Sequence, residues 1–339
     1  MKAACPNPLA RALRDFFSEH LPRLRGMSRH TVLSYRDSLR LLLCFVAVHR
    51  STSVADLDVE HLGLQEVIDF LHHLEHVRRS TATTRNVRLA AIHAFFRYLS
   101  ARDPERIDQC QRMLGIPFKR ARTRPVEYLE YEEIQAVLGA IDRARADGRR
   151  DYALLVTMFN TGARVQEMLD LRVCDLQLQR PSQVRLVGKG RKERVCPLWP
   201  QTAKVLVDWL EERHLDSRSV ERLFLNHRRE PLTRFGVRYL LAKYCSRARY
   251  EAPSLASKRL HPHSMRHSTA VHLLKAGVDL STISHWLGHA SINTTHRYAT
   301  VDLDMKRQAI AKAKPIATPP RTASAWRKDA SILEWLEAL

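Results

Sequence analysis

Apolar positions in the first hundred residues recur every three or four places, and that spacing predicts helices. After Ser28, a residue suited to cap a helix start, Val32, Tyr35, Leu39, Leu42, Leu43 and Val46 fall on one stripe. Leu64, Val67, Ile68, Leu71 and Leu74 keep the period, as do Leu89, Ile92, Phe96 and Leu99 after a polar start at Ser80–Thr81. Residues 1–118 are therefore read as a bundle of about four or five helices, ending near Leu114.

The pattern then breaks. Residues 119–126 form a basic linker beside Pro117 and Pro125 with almost no apolar period. Residues 127–314 form a mixed domain. Glu132–Ala144 and Asp151–Asn160 predict helices, Gln183–Val187 alternates like a half-buried strand, and Arg194–Cys196 suits its hairpin partner. Between the strands lies Gly188-Lys189-Gly190-Arg191-Lys192, a turn rich in glycine and positive charge. Helices are expected at Pro200–His214, after Thr233 as far as Arg249, at His263–Ala276 and at Leu280–Leu287, the last two stopping at Gly277 and Gly288. Pro315 and Pro320 interrupt the pattern. Residues 315–339 are a tail, and its last ten residues carry Ile332, Leu333, Trp335, Leu336 and Leu339 as a short apolar helix. The fold class is mainly α with a small β-sheet.

Charge points to the partner. Lys and Arg number 56 against 36 Asp and Glu, a net charge of +20. An excess of that size says little about fold and much about partners, with a polyanion leading. Arg predominates, as in Arg120–Arg122–Arg124 and Arg247–Arg249, and its planar fork grips phosphate through several donors. Arg78, Arg79, Arg85 and Arg88 could lie on a DNA backbone, although solvated arginines look the same in sequence. Of the six cysteines none is spaced C-x-x-C, so reduced thiols in a cytosolic protein are expected. The longest apolar run, near Leu39–Val48, is broken by Arg40 and is too short to span a bilayer. Met1–Ala10 lacks the apolar core of a signal peptide. A cytoplasmic protein with no membrane partner is the expectation.

Breaking a phosphodiester without a metal needs fixed cations around the phosphate, a nucleophile and a proton donor for the leaving oxygen. His263 and Arg266, three apart at a helix start, share a face, and a helix N-terminus favours anions. Thr161-Gly162-Ala163-Arg164 with Glu167 stands upstream; Leu287-Gly288-His289 and Thr294-Thr295-His296-Arg297-Tyr298 follow. Taken singly, each has a bland reading: a surface arginine, a solvated hairpin tip, a packing tyrosine.

Together and in this order, the motifs T-G-A-R at 161–164, G-K-G-R-K at 188–192, H-S-M-R-H at 263–267, L-G-H at 287–289 and T-T-H-R-Y at 294–298 resemble the tyrosine recombinases. That family, also called the phage integrase family, includes the Xer recombinases and Cre. The resemblance covers about residues 10 to 313, strongly in the second domain and diffusely in the first. It implies an N-terminal SAM-like core-binding domain ahead of a mixed α/β catalytic domain. It implies that Arg164 and Arg266 clamp the scissile phosphate and that Lys189 protonates the leaving 5′-oxygen. It gives His263 the proton of Tyr298, His289 a hydrogen bond to the phosphate, and Tyr298 the attack that forms a 3′-phosphotyrosine. Glu167 supports the site from behind. Met265 stands where leucine is common in the family, and both are apolar fillers.

No cofactor and no metal are expected, because the phosphotyrosine ester conserves the bond energy and the arginines supply the charge. The implied partner is double-stranded DNA bearing specific recombination sites. The implied assembly is a homo-tetramer on two sites, alone or with a second recombinase. The apolar tail helix is expected to dock on a neighbouring subunit. Asp302–Lys306 and the long tail lean towards recombinases of mobile elements. Rival readings are a type IB topoisomerase-like enzyme, a DNA-binding protein without catalysis and a metal-dependent nuclease. His285 and His289, four apart, have a zinc-ligand spacing, but no H-E-x-x-H follows. His261, His267, His272 and His285 are assigned to capping, packing or DNA-backbone contact.

Overall fold

The computed structural model describes residues 7–121, 126–188, 190, 192–289, 295 and 298. Lys189, Arg191, Asp302–Lys306 and the tail at 315–339 lie outside the described residues. The chain divides into two compact units, residues 1–124 and 125–339.

Among the described residues, the first unit is built of helices and their connections, with no strand. Helix α1 (Pro8–Asp15) runs directly into a π-helical segment, Phe16–Leu24. Then follow α2 (Arg29–His49), α3 (Leu64–His76), α4 (Ala82–Ser100) and α5 (Ile107–Leu114). Ser28 and Thr81 cap α2 and α4 by accepting from the N–H groups of Thr31 and Thr84. The predicted stripes face the core: Leu39, Leu42, Val46, Val67, Leu71, Leu74, Leu89, Ile92, Phe96 and Leu99 are buried. Leu64, the first residue of α3, is instead exposed. Phe16 meets Phe95 edge-on at 5.3 Å and tilts against Tyr98 at 5.2 Å. After α5 the chain stays tied to α4: Arg85 donates to the Pro117 carbonyl, and Asn86 exchanges two hydrogen bonds with the Lys119 backbone.

The second unit holds α6 (Tyr131–Gly139), α7 (Ala146–Thr161), α8 (Val165–Asp170), strands β1 (Leu176–Gln177), β2 (Gln183–Val187) and β3 (Glu193–Pro197), then α9 (Pro200–Glu212), α10 (Arg234–Ala248), α11 (Pro262–Lys275) and α12 (Leu280–Leu287). The sheet is antiparallel in the order β1–β2–β3. Val184 pairs with Cys196 and Leu186 with Arg194, which turns the inward faces of β2 and β3 towards α12. Helix α6 ends five residues before the expected Ala144, and α7 begins five before the expected Asp151. Helix α7 is the spine of the core, with Ala153, Leu154, Leu155 and Met158 fully buried. Among the described residues, no helix is long and apolar enough to cross a membrane.

Candidate active site

Two glycines end two helices at one place. Gly162 stops α7 at φ +60° and Gly288 stops α12 at φ +63°, both in the left-handed region that favours glycine. A Cβ on Gly162 would stand 2.5 Å from the Leu287 side chain. The carbonyls freed at these helix ends carry the negative pole of each helix. Arg266, on α11 and almost wholly buried, fills the gap between them, donating to the carbonyls of Gly162 at 2.7 Å and Leu287 at 2.6 Å. Arg164 opens α8 and donates to the Gly288 carbonyl at 3.2 Å.

Glu167, one turn into α8, ties the arginines to the sheet. Its carboxylate accepts from the Arg164 backbone N–H at 2.8 Å and from the Arg164 guanidinium at 2.7 Å. Arg194 of β3 adds a two-pronged contact at 2.6 and 3.1 Å and also donates to the Trp286 carbonyl. Burial pushes the Glu167 carboxyl up, but Arg194 and then Arg164 outweigh it and hold the group below the usual carboxylate range. The Arg164 side chain remains partly open to solvent while Arg266 lies beneath the surface. Burial, then repulsion from Arg164 and Arg194, pulls the Arg266 pKa down to about 10, so it stays cationic at neutral pH.

Tyr298 is buried, and its ring lies nearly parallel to that of His289, with centroids 6.3 Å apart. His289 Nδ1 meets the Thr295 hydroxyl at 2.7 Å. Burial, with Arg266, Arg164 and Arg194 close by, lowers its pKa to about 4 and keeps it neutral. His263 stands exposed at the start of α11. Loss of hydration and then the charges of His261, Arg266 and Arg164 hold its pKa below the ordinary value. Arg164, Glu167, Arg266 and His289 are thus joined by direct contacts or charge, with Tyr298 against His289 and His263 on the rim. Lys189 lies outside the described residues, but Gly188, which opens its turn, lies so close to Glu167 that an added Cβ would come within 3.0 Å of the carboxylate.

Residues 127–304 match the phage integrase family, and residues 15–103 match the phage integrase N-terminal SAM-like domain. The chain belongs to the phage integrase family. It is a tyrosine recombinase, an enzyme class of site-specific recombination. It is 39% identical to a putative integrase/recombinase of Sinorhizobium fredii across 98% of both chains. It is 32% identical to the tyrosine recombinase XerC of Pelobacter propionicus, over 92% of this chain and 98% of that one. The fold is that of the XerH site-specific recombinase bound to its difH substrate, with a TM-score of 0.65 at 21% identity over 87% of this chain and 83% of that one. The Tn1549 transposon integrase in complex with a circular intermediate DNA also superposes, with a TM-score of 0.65 at 17% identity over 88% of this chain and 98% of that one.

Two residues of this recombinase's site were not assigned there from sequence. Arg194 shares strand parity with buried Cys196, so the period-two pattern was the available signal for an inward cation. In sequence His267 reads as a capping, packing or DNA-backbone residue, yet its Nδ1 lies 2.9 Å from the Tyr298 hydroxyl. Its signal was position: four residues after His263, on the same helix face. His272 packs as expected, with Nε2 2.9 Å from the Leu129 carbonyl, and exposed His285 turns back to the Ser281 carbonyl. Among the described residues, no group of three or more His, Cys, Asp or Glu is placed to hold a metal ion.

Proposed function

We propose that this recombinase cuts and rejoins double-stranded DNA at specific recombination sites through a 3′-phosphotyrosine formed on Tyr298. The observation that carries this reading is the convergence of Arg164, Arg266, His289 and Tyr298, from four separate segments, around one pair of helix ends. Buried Arg266 and half-open Arg164 supply fixed charge for the non-bridging oxygens as the transition state gains negative charge. Neutral His289, with Nδ1 occupied by Thr295, offers its other ring nitrogen to the same phosphate. Lys189 protonates the leaving 5′-oxygen, a role supported by the start of its turn beside Glu167. By resemblance to the family, His263 on the rim completes the catalytic set. The arginines supply the charge that a metal would otherwise bring, so no cofactor takes part. The active assembly is a homo-tetramer on two sites, alone or with a second recombinase, acting in the cytoplasm on DNA of a mobile element.

The test uses suicide duplexes, nicked near candidate sites in DNA from the protein's own genetic neighbourhood, incubated in EDTA. The expected result on denaturing gels is protein attached covalently to a 3′ end, abolished by Tyr298→Phe with DNA binding kept. A wild-type protein that binds its site tightly yet leaves no adduct would overturn the reading.

A further inference from the structure

The immediate neighbour of the nucleophile's hydroxyl is a histidine with no part in the phosphate clamp. Tyr298 Oη lies 2.9 Å from His267 Nδ1, and the two rings tilt together at 5.6 Å. Tyr298 is only 2% exposed, so this hydrogen bond is shielded from water. His267 directly follows Arg266 on α11, so one helix buries a phosphate ligand and presents its next side chain to the phenol. His263, one turn earlier, stacks behind His267 at 6.4 Å. It feels the charges of Arg266 and Arg164. An imidazole beside two guanidinium groups is placed for the phosphate; an imidazole on the phenol is placed for its proton.

We infer that His267, through Nδ1, takes the phenolic proton of Tyr298 during strand cleavage and returns it on rejoining, leaving His263 to the phosphate. This rests on Tyr298 being the nucleophile. In the resting tautomer His267 carries its proton on Nε2 and accepts from Tyr298. As Oη forms its bond to phosphorus, the phenolic proton moves to Nδ1 and His267 becomes an imidazolium. The bond from phosphorus to the 5′-oxygen breaks, and that oxygen takes a proton from the general acid, for which Lys189 is proposed. On rejoining, the 5′-hydroxyl gives its proton back to that group and attacks. The phosphorus–Oη bond breaks, and the phenolate recovers its proton from His267. Among the described residues, the groups that bear on the proton affinity of His267 include His261 and His263 near the start of its helix, neighbouring Arg266, and Tyr298, whose ring His289 meets in turn.

The experiment is single-turnover cleavage of the nicked suicide duplex, from about pH 6 to pH 9.5, with wild type, His267→Asn and His263→Asn. Asparagine at 267 can keep a hydrogen bond to Tyr298 but cannot take a proton. His267→Asn is expected to cleave about 10²-fold slower at neutral pH. Its rate should recover about tenfold per pH unit towards the ordinary phenol pKa of about 10, while the wild-type rate levels off. DNA binding by His267→Asn should be unchanged; if that variant does not fold, His267→Gln carries the same test. A wild-type rate in His267→Asn, a loss equal at every pH, or the pH signature in His263→Asn instead would each overturn the assignment. No adduct from the wild type would overturn the reading of Tyr298, and this inference with it.

Discussion

In residues 1–124 the core is aromatic and aliphatic: Phe16 against Phe95 and Tyr98, Phe45 against Phe70, with Leu42, Val46, Leu71 and Ile92 around them. In residues 125–339 the spine helix carries Thr157, Asn160 and Thr161 through the interior beside Leu154 and Met158, and buried Asp151 is bonded to both Arg150 and Tyr244. Arg266 and Glu167 are buried there as well. The first unit gains stability from apolar area, at about 25 cal/mol per Å². The first also buries Arg85; the second desolvates Arg150 and Arg266, at a cost of several kcal/mol per ion, and offsets that with backbone carbonyls and carboxylates. On the proposed function, the difference teaches where chemistry is held: a cation kept without its phosphate is a standing cost, recovered when the anion arrives.

The largest expected effect is on Arg266→Ala. Cleavage should fall by at least about 10³-fold, while urea unfolding should shift by only about 1 kcal/mol, because removing a desolvated cation offsets two orphaned carbonyls. A large stability loss with near-normal cleavage would reverse the comparison. Phe96→Ala should do the opposite, costing the first unit about 3–5 kcal/mol in a denaturant titration. Cleavage by the protein that remains folded should persist.

Next comes acid sensitivity. His289 titrates near pH 4 when folded, against about 6.5 unfolded, so the unfolded chain binds more protons between those values. Its contribution is intact above about pH 6.5 and lost as pH falls towards 4, on the order of 2 kcal/mol after allowance for solvent. Urea titrations at about pH 7 and pH 4.5 should show that loss in the wild type and a smaller one in His289→Asn. Equal losses would assign the sensitivity to other groups, among them Glu167, which Arg194 and Arg164 hold below the usual carboxylate range. The smallest effect is Thr81→Ala, which removes the α4 cap and should lower stability by about 1 kcal/mol without touching cleavage.

Much of this was legible beforehand where one local rule decides the outcome. The stripes of α2, α3 and α4 follow from period alone, and their caps at Ser28 and Thr81 from residue type. The β2–β3 pair followed from alternation, but β1 is two residues long and carries no period. The start of α7 was hidden by Gly148, which reads as a helix breaker. Its backbone instead lies so close to the Asp142 carbonyl that any side chain would collide. In the site, the resemblance of the ordered motifs to the family named Arg164, Glu167, Lys189, His263, Arg266, His289 and Tyr298; the structure brings these together apart from Lys189, which lies outside the described residues. Arg194 and His267 stayed hidden because each is defined by a distant partner: Glu167 is 27 residues from Arg194, and Tyr298 is 31 residues from His267.

The carbonyl cradle of Arg266 bears on how such a protein can diverge. A guanidinium aimed by main-chain oxygens is aimed by the path of the backbone, and any residue type supplies the same oxygen. Around Gly162 and Leu287, mutation can rewrite most side chains and leave the aim of Arg266 intact, provided the two left-handed glycine turns survive. Inheritance of this site is then strict at a few positions and permissive nearly everywhere else. A lineage can then rewrite the surface around this site while the frame that aims Arg266 stays put.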